Sequence, residues 1–539
     1  MHLRLDALSL LFLCILLPQI VAGALAGMRG SVAFWAFALG MVLALLAADA
    51  FTLIFGFELM SAASWLLVLR GDQKPATLYA GIALFSAACL IPAVFLPASS
   101  IAFVLVALGA GAKAGLAPLH SWLPRAHPAP PAGVSALMSG GMVKVPLYIL
   151  IRYAFIVFAP AAQPWWGEVL VAVGAASVVI GALRAMLETE LKTMLACSTV
   201  EHVGLITVGL GIALRAKAMG DPALAALGLQ AALLCAIAHG LFKPLLFLGA
   251  GEVKHATGTT SLDWLGGLMR GMPRISGLML LGAAGMAALP LGPGFAPEFL
   301  LLHAVIGAAG TGGILARIGF TALLAALGLS AALALGAAVR LVGMGLLGRP
   351  RSLHAAAAED ARPAPLFAMG LLAVLCVPVA LLPGLVTGAL VPVIQELAPQ
   401  ADPLPLAYAP LSLALLAGLA ALAAGFILRR WGVRGTREVP AWTGGFGRPP
   451  AWLPFGDPHT QLSATGFAEP VARAIGRGVL APGGADPAEA FLLTPIIRLH
   501  MRITRVAEQL RRSTIRQRLA FVFAVLVVFL LALGLGEGG

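Results

Sequence analysis

The chain has 539 residues, of which 60% are hydrophobic and 11% charged, with a formal net charge of +12 and a mean hydropathy of +0.97. Soluble globular chains carry about a quarter charged residues, so this composition excludes a water-soluble domain and marks an integral membrane protein. Nor does the basicity mark a nucleic-acid groove: between Arg429 and Arg518 there are 14 Arg against six acids, the asymmetry of a membrane face.

Apolar runs of about 18 to 25 residues recur, each long enough for a helix to cross roughly 30 Å of hydrocarbon. The ten-residue alternating segments of a membrane barrel are not found. The expected fold class is therefore all-α, a polytopic transmembrane bundle of about 14 spans. In chain order they are expected near 7–26, 31–48, 50–69, 76–96, 101–121, 138–158, 166–187, 192–213, 222–248, 275–305, 316–345, 365–393, 405–428 and 518–535. The first run follows Arg4 and is longer than a secretory signal core, which predicts an uncleaved first helix. Simple alternation collects Arg29, Arg70, Lys74, Arg125, Arg184, Lys192, Lys254, Arg270, Arg274, Arg349, Arg351 and Arg362 on one side, and Arg4, Arg215, Lys217 and Arg317 on the other. The positive-inside rule then predicts an outside N-terminus and a cytoplasmic segment 429–518.

Two spans contain residues that a plain helix would not choose: GAGAKAGLAPLHSWLPRAHPAPPAG (109–133) and ALPLGPGFAPEFLL (288–301). Proline removes a backbone donor and clashes with the preceding turn, so breaks are expected near Pro118 and around Pro290, Pro293 and Pro297. Each break falls in the fourth span of a group of five, and an odd number of spans inverts the second group relative to the first. The expected organisation is an N-terminal helix (1–30), a first five-helix repeat (31–158), an inverted second repeat (159–347), additional helices (348–430), a basic cytoplasmic segment (431–517) and a last helix (518–539).

Ionisable residues inside spans carry the functional signal, because a charge near a helix centre costs about 2.5–3.5 kcal/mol on insertion scales. They are Glu58, Lys113, Lys144, His239, Lys243 and Glu298, with Glu201 and His202 as secondary candidates nearer a span end. The chain has only seven Lys among its 35 basic residues, yet three of the seven, Lys113, Lys144 and Lys243, are intramembrane. Arg does not deprotonate in proteins whereas a buried Lys can, which points to positions that titrate. The competing reading is that such charges glue helices together. His239 and Lys243 are i, i+4 and share a face, and Pro244 is expected to loosen the helix there and admit water. His120, His127 and His303 flank the breaks and read as loop or cavity residues, while Arg152, Arg317 and Arg340 near span ends are expected to snorkel. The five Cys are scattered through apolar stretches without C-x-x-C spacing, so no metal site, iron–sulfur cluster or other cofactor is expected.

FELMSAASWLL (57–67), GAKAGLAPLHSWLPRAHPAPPAGVSALMSGGMVK (111–144), ELKTMLACSTVEHVGLI (190–206) and AHGLFKPLLFLGAG (238–251) occur in order. With LPLGPGFAPEFLLL after them, these motifs resemble the antiporter-like, proton-translocating membrane subunits of respiratory complex I, cation/proton antiporters and membrane-bound hydrogenases. ALMSGGMVK and the C-terminal AWTGGFGRP and QLSATGFAEP are most similar to the large membrane subunit of hydrogenase 4 and formate hydrogenlyase complexes. The resemblance implies that Glu58 pairs with Lys113, that Lys144 is the central lysine, that His239 and Lys243 lie on a hydrophilic axis, and that Glu298 is the charge of the second broken helix. It implies a bacterial inner-membrane subunit that moves protons, or Na⁺ in exchange for them, beside other membrane subunits and a soluble redox arm, in the lipid bilayer and without nucleic acid. A structural membrane anchor without transport is the third reading. The family usually has about two further helices ahead of DALSL, and Gly444 stands in AWTGG where a Cys is expected. Arg498, Arg502, Arg505, Arg512 and Arg516 form a helical stripe, read as a lateral amphipathic helix on the cytoplasmic surface.

Overall fold

The computed structural model describes residues 2–401, 409–431 and 461–476. Its first helices begin where a loop side chain can take the free N–H groups of the first turn, groups that lipid cannot satisfy. Asp6 accepts from Ser9 N (2.9 Å) at the head of α1 (Ala7–Gly23), and Ser31 does so at α2 (Val32–Leu46). Asp49 accepts from Thr52 N (2.8 Å) at α3 (Ala50–Leu69), Asp72 caps α4 (Gln73–Phe95) and Ser99 caps α5 (Ser100–Ala114).

Helix α5 stops seven residues short of the expected 121, because Gly115 takes the left-handed conformation (φ +83°) that ends a helix. The chain then turns irregularly past Pro118 into the short α6 (Leu123–Ala126). A new helix follows at 132 rather than 138: α7 (Ala132–Leu137), a π-helical turn Met138–Met142, and α8 (Lys144–Arg152). The next run is α9 (Pro164–Leu187), α10 (Leu191–Ala218), α11 (Pro222–Thr257), the short α12 (Leu268–Gly271), α13 (Pro273–Met286), α14 (Phe295–Ala309) and α15 (Ile314–Val339). Pro290 and Pro293 fall in the break between α13 and α14, but Pro297 sits inside the first turn of α14, where the missing N–H had no partner to lose. Pro244 is likewise helical: α11 continues through it over its full 36 residues.

After the short α16 (Leu353–Ala356), the expected span 365–393 is three helices, α17 (Pro363–Leu381), α18 (Pro383–Ala389) and α19 (Val391–Leu397). Pro383 opens the second of these, and its ring restricts Leu382 before it to a non-helical backbone. The last described helices are α20 (Pro410–Trp431) and α21 (Ala464–Ile475). The expected span 518–535 and the Arg498 to Arg516 stripe lie outside the described residues.

Among the described residues, ten helices are long and apolar enough to cross a membrane, and α2, α5 and α14 are shorter apolar helices. The two runs of five share an order of neighbours: first on second (α2 on α3, α9 on α10), third on fourth (α4 on α5, α11 on α13 and α14) and fourth on fifth (α5 on α8, α14 on α15). Small residues allow the closest of these approaches. On α9, Gly167, Gly174 and Gly181 face the α10 backbone, and a Cβ at Gly174 would lie 2.9 Å from Gly204 O. The α7–α8 segment, α10 and α11 are buried along almost their whole length, so polar side chains on them lie in the core of the bundle.

Two arginines hold α21 against this body. Arg340 donates to Met186 O and Ala464 O, and Arg351 donates to Leu265 O (2.9 Å), Met344 O (2.8 Å) and Leu462 O (3.1 Å). Arg340 is expected from the sequence to snorkel but is 0% exposed, because its Nε and Nη1 find main-chain oxygens inside the protein. Burial pushes the Arg351 guanidinium below its ordinary value.

Candidate functional site

Lys113 lies in the last turn of α5, where the partial negative charge of the helix end favours a cation. It is fully buried, donates to the Tyr79 hydroxyl (2.8 Å) and stands 4.2 Å from the centre of that ring. The same hydroxyl shares a hydrogen bond with Ser64 Oγ (2.6 Å) and approaches Met142 Sδ (3.2 Å). Glu58, half-buried on α3, is within electrostatic reach of Lys113, and its Oε1 is buried without a hydrogen-bond partner.

Lys144 opens α8 directly after the π-helical turn. Its Nζ donates to Ser139 O (3.2 Å) and is hydrogen-bonded to Nδ1 of His239 on α11. Ser139 Oγ pairs with Thr199 Oγ1 of α10 (2.7 Å), so three buried helices meet at this lysine. The His239 ring lies 5.2 Å, centre to centre, from that of His202, whose Nδ1 bonds Ser198 O (2.8 Å). A carbonyl only accepts, so His202 carries its proton on Nδ1 and offers Nε2 as an acceptor. When Lys144 is an ammonium, His239 accepts from it at Nδ1 and carries its own proton on Nε2. In that state the two rings hold complementary tautomers, and both Nε2 atoms are buried without another partner.

Lys243 lies 3.5 Å from Leu195 O and within electrostatic reach of Glu201. Glu201 accepts from Ser330 Oγ (2.7 Å) on α15 and from Ser198 Oγ (3.3 Å). Glu298, half-buried in the first turn of α14, is in electrostatic range of Glu201 and Cys235.

The structure thus hydrogen-bonds Lys144 to His239, and sets Glu58 within electrostatic range of Lys113 and Glu201 within electrostatic range of Lys243. It does not join Lys113 directly to Lys144; the Tyr79 hydroxyl that binds Lys113 also approaches Met142, two residues before Lys144 in the chain. Glu201 and His202 are deeper than their place in the sequence suggests, 1% and 2% exposed, because α10 is enclosed on all sides. His127 is also buried; its Nδ1 donates to Leu123 O (3.0 Å), and both Lys144 and Lys192 are within electrostatic range. Arg152 does not snorkel: it donates to Asp6 Oδ1 (2.7 Å), Ser9 Oγ (3.1 Å) and Tyr148 OH (3.0 Å). Burial raises the Asp6 carboxyl, but hydrogen bonds from Arg152 and Ser9 outweigh it and hold the group well below the usual carboxylate range.

Tyr79, Ser64, Thr199 and Ser330 were not singled out from the sequence. The scarcity of Tyr was the available signal for the first: the chain has four Tyr against 25 Phe, so a span that pays for a hydroxyl uses it.

The profile of the NADH:quinone oxidoreductase/Mrp antiporter transmembrane family matches residues 90–325. Over 92% of its length the chain is 31% identical to hydrogenase-4 component B of Escherichia coli (strain K12), covering 82% of that protein. The chain belongs to this family. It is also 35% identical to formate hydrogenlyase subunit 3 of the same organism, over 58% of this chain and 50% of that one. Among solved structures, a chain of the membrane-bound sulfane sulfur reductase, an archaeal respiratory membrane complex, superposes with a TM-score of 0.75 at 22% identity, covering 98% of this chain and 89% of that one. That likeness concerns the fold, and the family member described here is accordingly an all-helical, polytopic membrane protein.

Proposed function

We propose that this family member is a proton-translocating subunit of a multi-subunit membrane oxidoreductase of the hydrogenase or quinone-reducing kind. Its partners are other membrane subunits and a soluble redox arm, and its place is the bacterial inner membrane with the N-terminus outside. The two runs of five helices are read as inverted repeats, supported by their shared neighbour order and by a break in the fourth helix of each.

The observation that carries the reading is the hydrogen bond from Lys144 to His239, which crosses from the first run of helices to the second at full burial. A change of charge at Glu58 alters the Coulomb stabilisation of the Lys113 ammonium. The proton on the Lys113 ammonium, which the Tyr79 hydroxyl holds in place, passes through water toward Lys144. Lys144 passes a proton to Nδ1 of His239, which releases the one on Nε2 toward His202. Lys243 and Glu201 take up the next step, and Glu298 delivers the proton beyond them.

The test is proton uptake into vesicles holding the purified complex, driven by its electron donor, with a pH-sensitive dye inside. Electron transfer without uptake contradicts the proposal and leaves an anchor. Homologues include components of Na⁺/H⁺ antiporters, among them one from Bacillus subtilis (strain 168) that is 38% identical over 36% of this chain and 24% of its own length. An imposed Na⁺ gradient that moves protons without electron transfer would therefore favour exchange.

A further inference from the structure

Basic side chains from four separate stretches of chain converge on one cavity whose walls include none of the relay residues. The cavity measures about 940 Å³ and lies among the unwound end of α1, the end of α3, residues 129–132, the start of α10, the end of α11 and the start of α17. Its walls carry Arg70, Lys192, Lys254, His255 and Arg362, with Glu252 as the one carboxylate. Glu252 acts electrostatically on His255 and Arg362. No ion pair joins Arg70, Lys192 or Lys254 to a described carboxylate. Lys192 is only 4% exposed and gives one N–H to Pro130 O (3.0 Å), while Lys254 stands within electrostatic range of it. Like charges gathered at close quarters repel unless an anion sits among them.

The shape of the site selects the anion. Gly27, at φ +101°, turns the chain off the end of α1, and the cavity lies where α1, α3 and α11 end and α10 and α17 begin; spans end near the headgroups of a bilayer. Leu25 and Leu67 add apolar wall beside the cations. The volume is that of a pocket for an organic group of about 300–1,000 Å³ and exceeds what bare phosphate fills. Arg70 and Arg362 offer planar forks that match phosphate oxygens, and the lysines add point charge.

We propose that this cavity binds the phosphate headgroup of an anionic phospholipid. Basic pockets between transmembrane helices hold such headgroups in other membrane proteins.

The experiment uses the full-length protein in its purified complex. One variant combines Arg70→Ala, Lys254→Ala and Arg362→Ala, all exposed positions; a second combines Arg270→Ala, Arg274→Ala and Arg349→Ala, which removes the same charge outside the cavity. Lipid retained after delipidation is identified by mass spectrometry, and thermal unfolding is followed with added phosphatidylglycerol, phosphatidylcholine or inorganic phosphate. Each cation near an anionic surface is worth about a fivefold change in affinity, so the cavity variant should bind phosphatidylglycerol about a hundredfold more weakly. The second variant should keep both the lipid and the thermal protection. Equal behaviour of the two variants overturns the proposal, since the attraction is then diffuse or absent. Protection of the wild type by inorganic phosphate as strong as by phosphatidylglycerol also overturns it, in favour of a free anion.

Discussion

Tyr79→Phe removes the oxygen that holds the Lys113 ammonium at the start of the proposed proton path and leaves the packing almost untouched. That oxygen accepts from Lys113 Nζ at 2.8 Å, while the aromatic face 4.2 Å from the ammonium remains in the variant. Ser64, its other close partner, keeps a hydrogen bond to Met60 O (2.7 Å), so no new unsatisfied hydroxyl appears. A hydrogen bond to a charged group is worth about 1.5–3 kcal/mol net, and bulk water does not replace it at a fully buried lysine. The retained cation–π contact argues for the lower part of that range, about tenfold to fiftyfold in the population of the Lys113 ammonium. Proton uptake per electron transferred should fall by about the same factor. The assay is dye-reported uptake in vesicles of the whole complex, with electron flux measured in the same sample and assembly checked by subunit stoichiometry. Uptake within about a factor of two of wild type, from an assembled complex, would refute the role given to Tyr79 and the ordering of charge around Lys113.

Glu201→Gln keeps a side chain that Ser330 and Ser198 can still bond but removes the charge facing Lys243; uptake should fall about tenfold while thermal stability changes little, and unchanged uptake would return Glu201 to a structural role. Gly181→Val drives side-chain atoms into the backbone N of Glu201, so overpacking should cost about 1–3 kcal/mol in unfolding experiments, against no change for Gly343→Ala, which has open space beside it. The Asp6 carboxyl is held low in the folded chain, so its stabilisation is fully present above the unfolded value of about 3.9 and is lost only as pH falls below that toward the folded value. Asp6→Asn should therefore lower the unfolding midpoint equally at about pH 7 and pH 5, and a difference already gone at about pH 5 would contradict the Asp6–Arg152 assignment.

Much of this arrangement is legible in one dimension because lipid enforces simple rules. Each apolar run must be a helix, and α3 runs over Ala50–Leu69, the interval its hydropathy defines. The breaks were readable from proline and glycine, but their edges depend on conformation: Gly115 ends α5 early, and Pro297 proves harmless because it falls in a first turn. What hydropathy does not carry is which helix ends up enclosed. Arg340 and Arg152 look like span-end cations and are buried because carbonyls and Asp6 wait for them on distant segments. The same holds for Glu201 and His202, whose depth is set by the helices packed around α10. Tyr79 and Ser330 were invisible for another reason: their importance lies in a partner 34 and 129 residues away.

In the proposed relay, protons cross between the two helix groups through the Lys144–His239 contact. Lys144→Met retains volume and removes the titratable group, and its effect is measured as proton uptake per electron in vesicles of the assembled complex. Near-complete loss of uptake is expected, with the complex intact and electron transfer persisting in the presence of an uncoupler. Wild-type uptake at wild-type electron flux would contradict this relay.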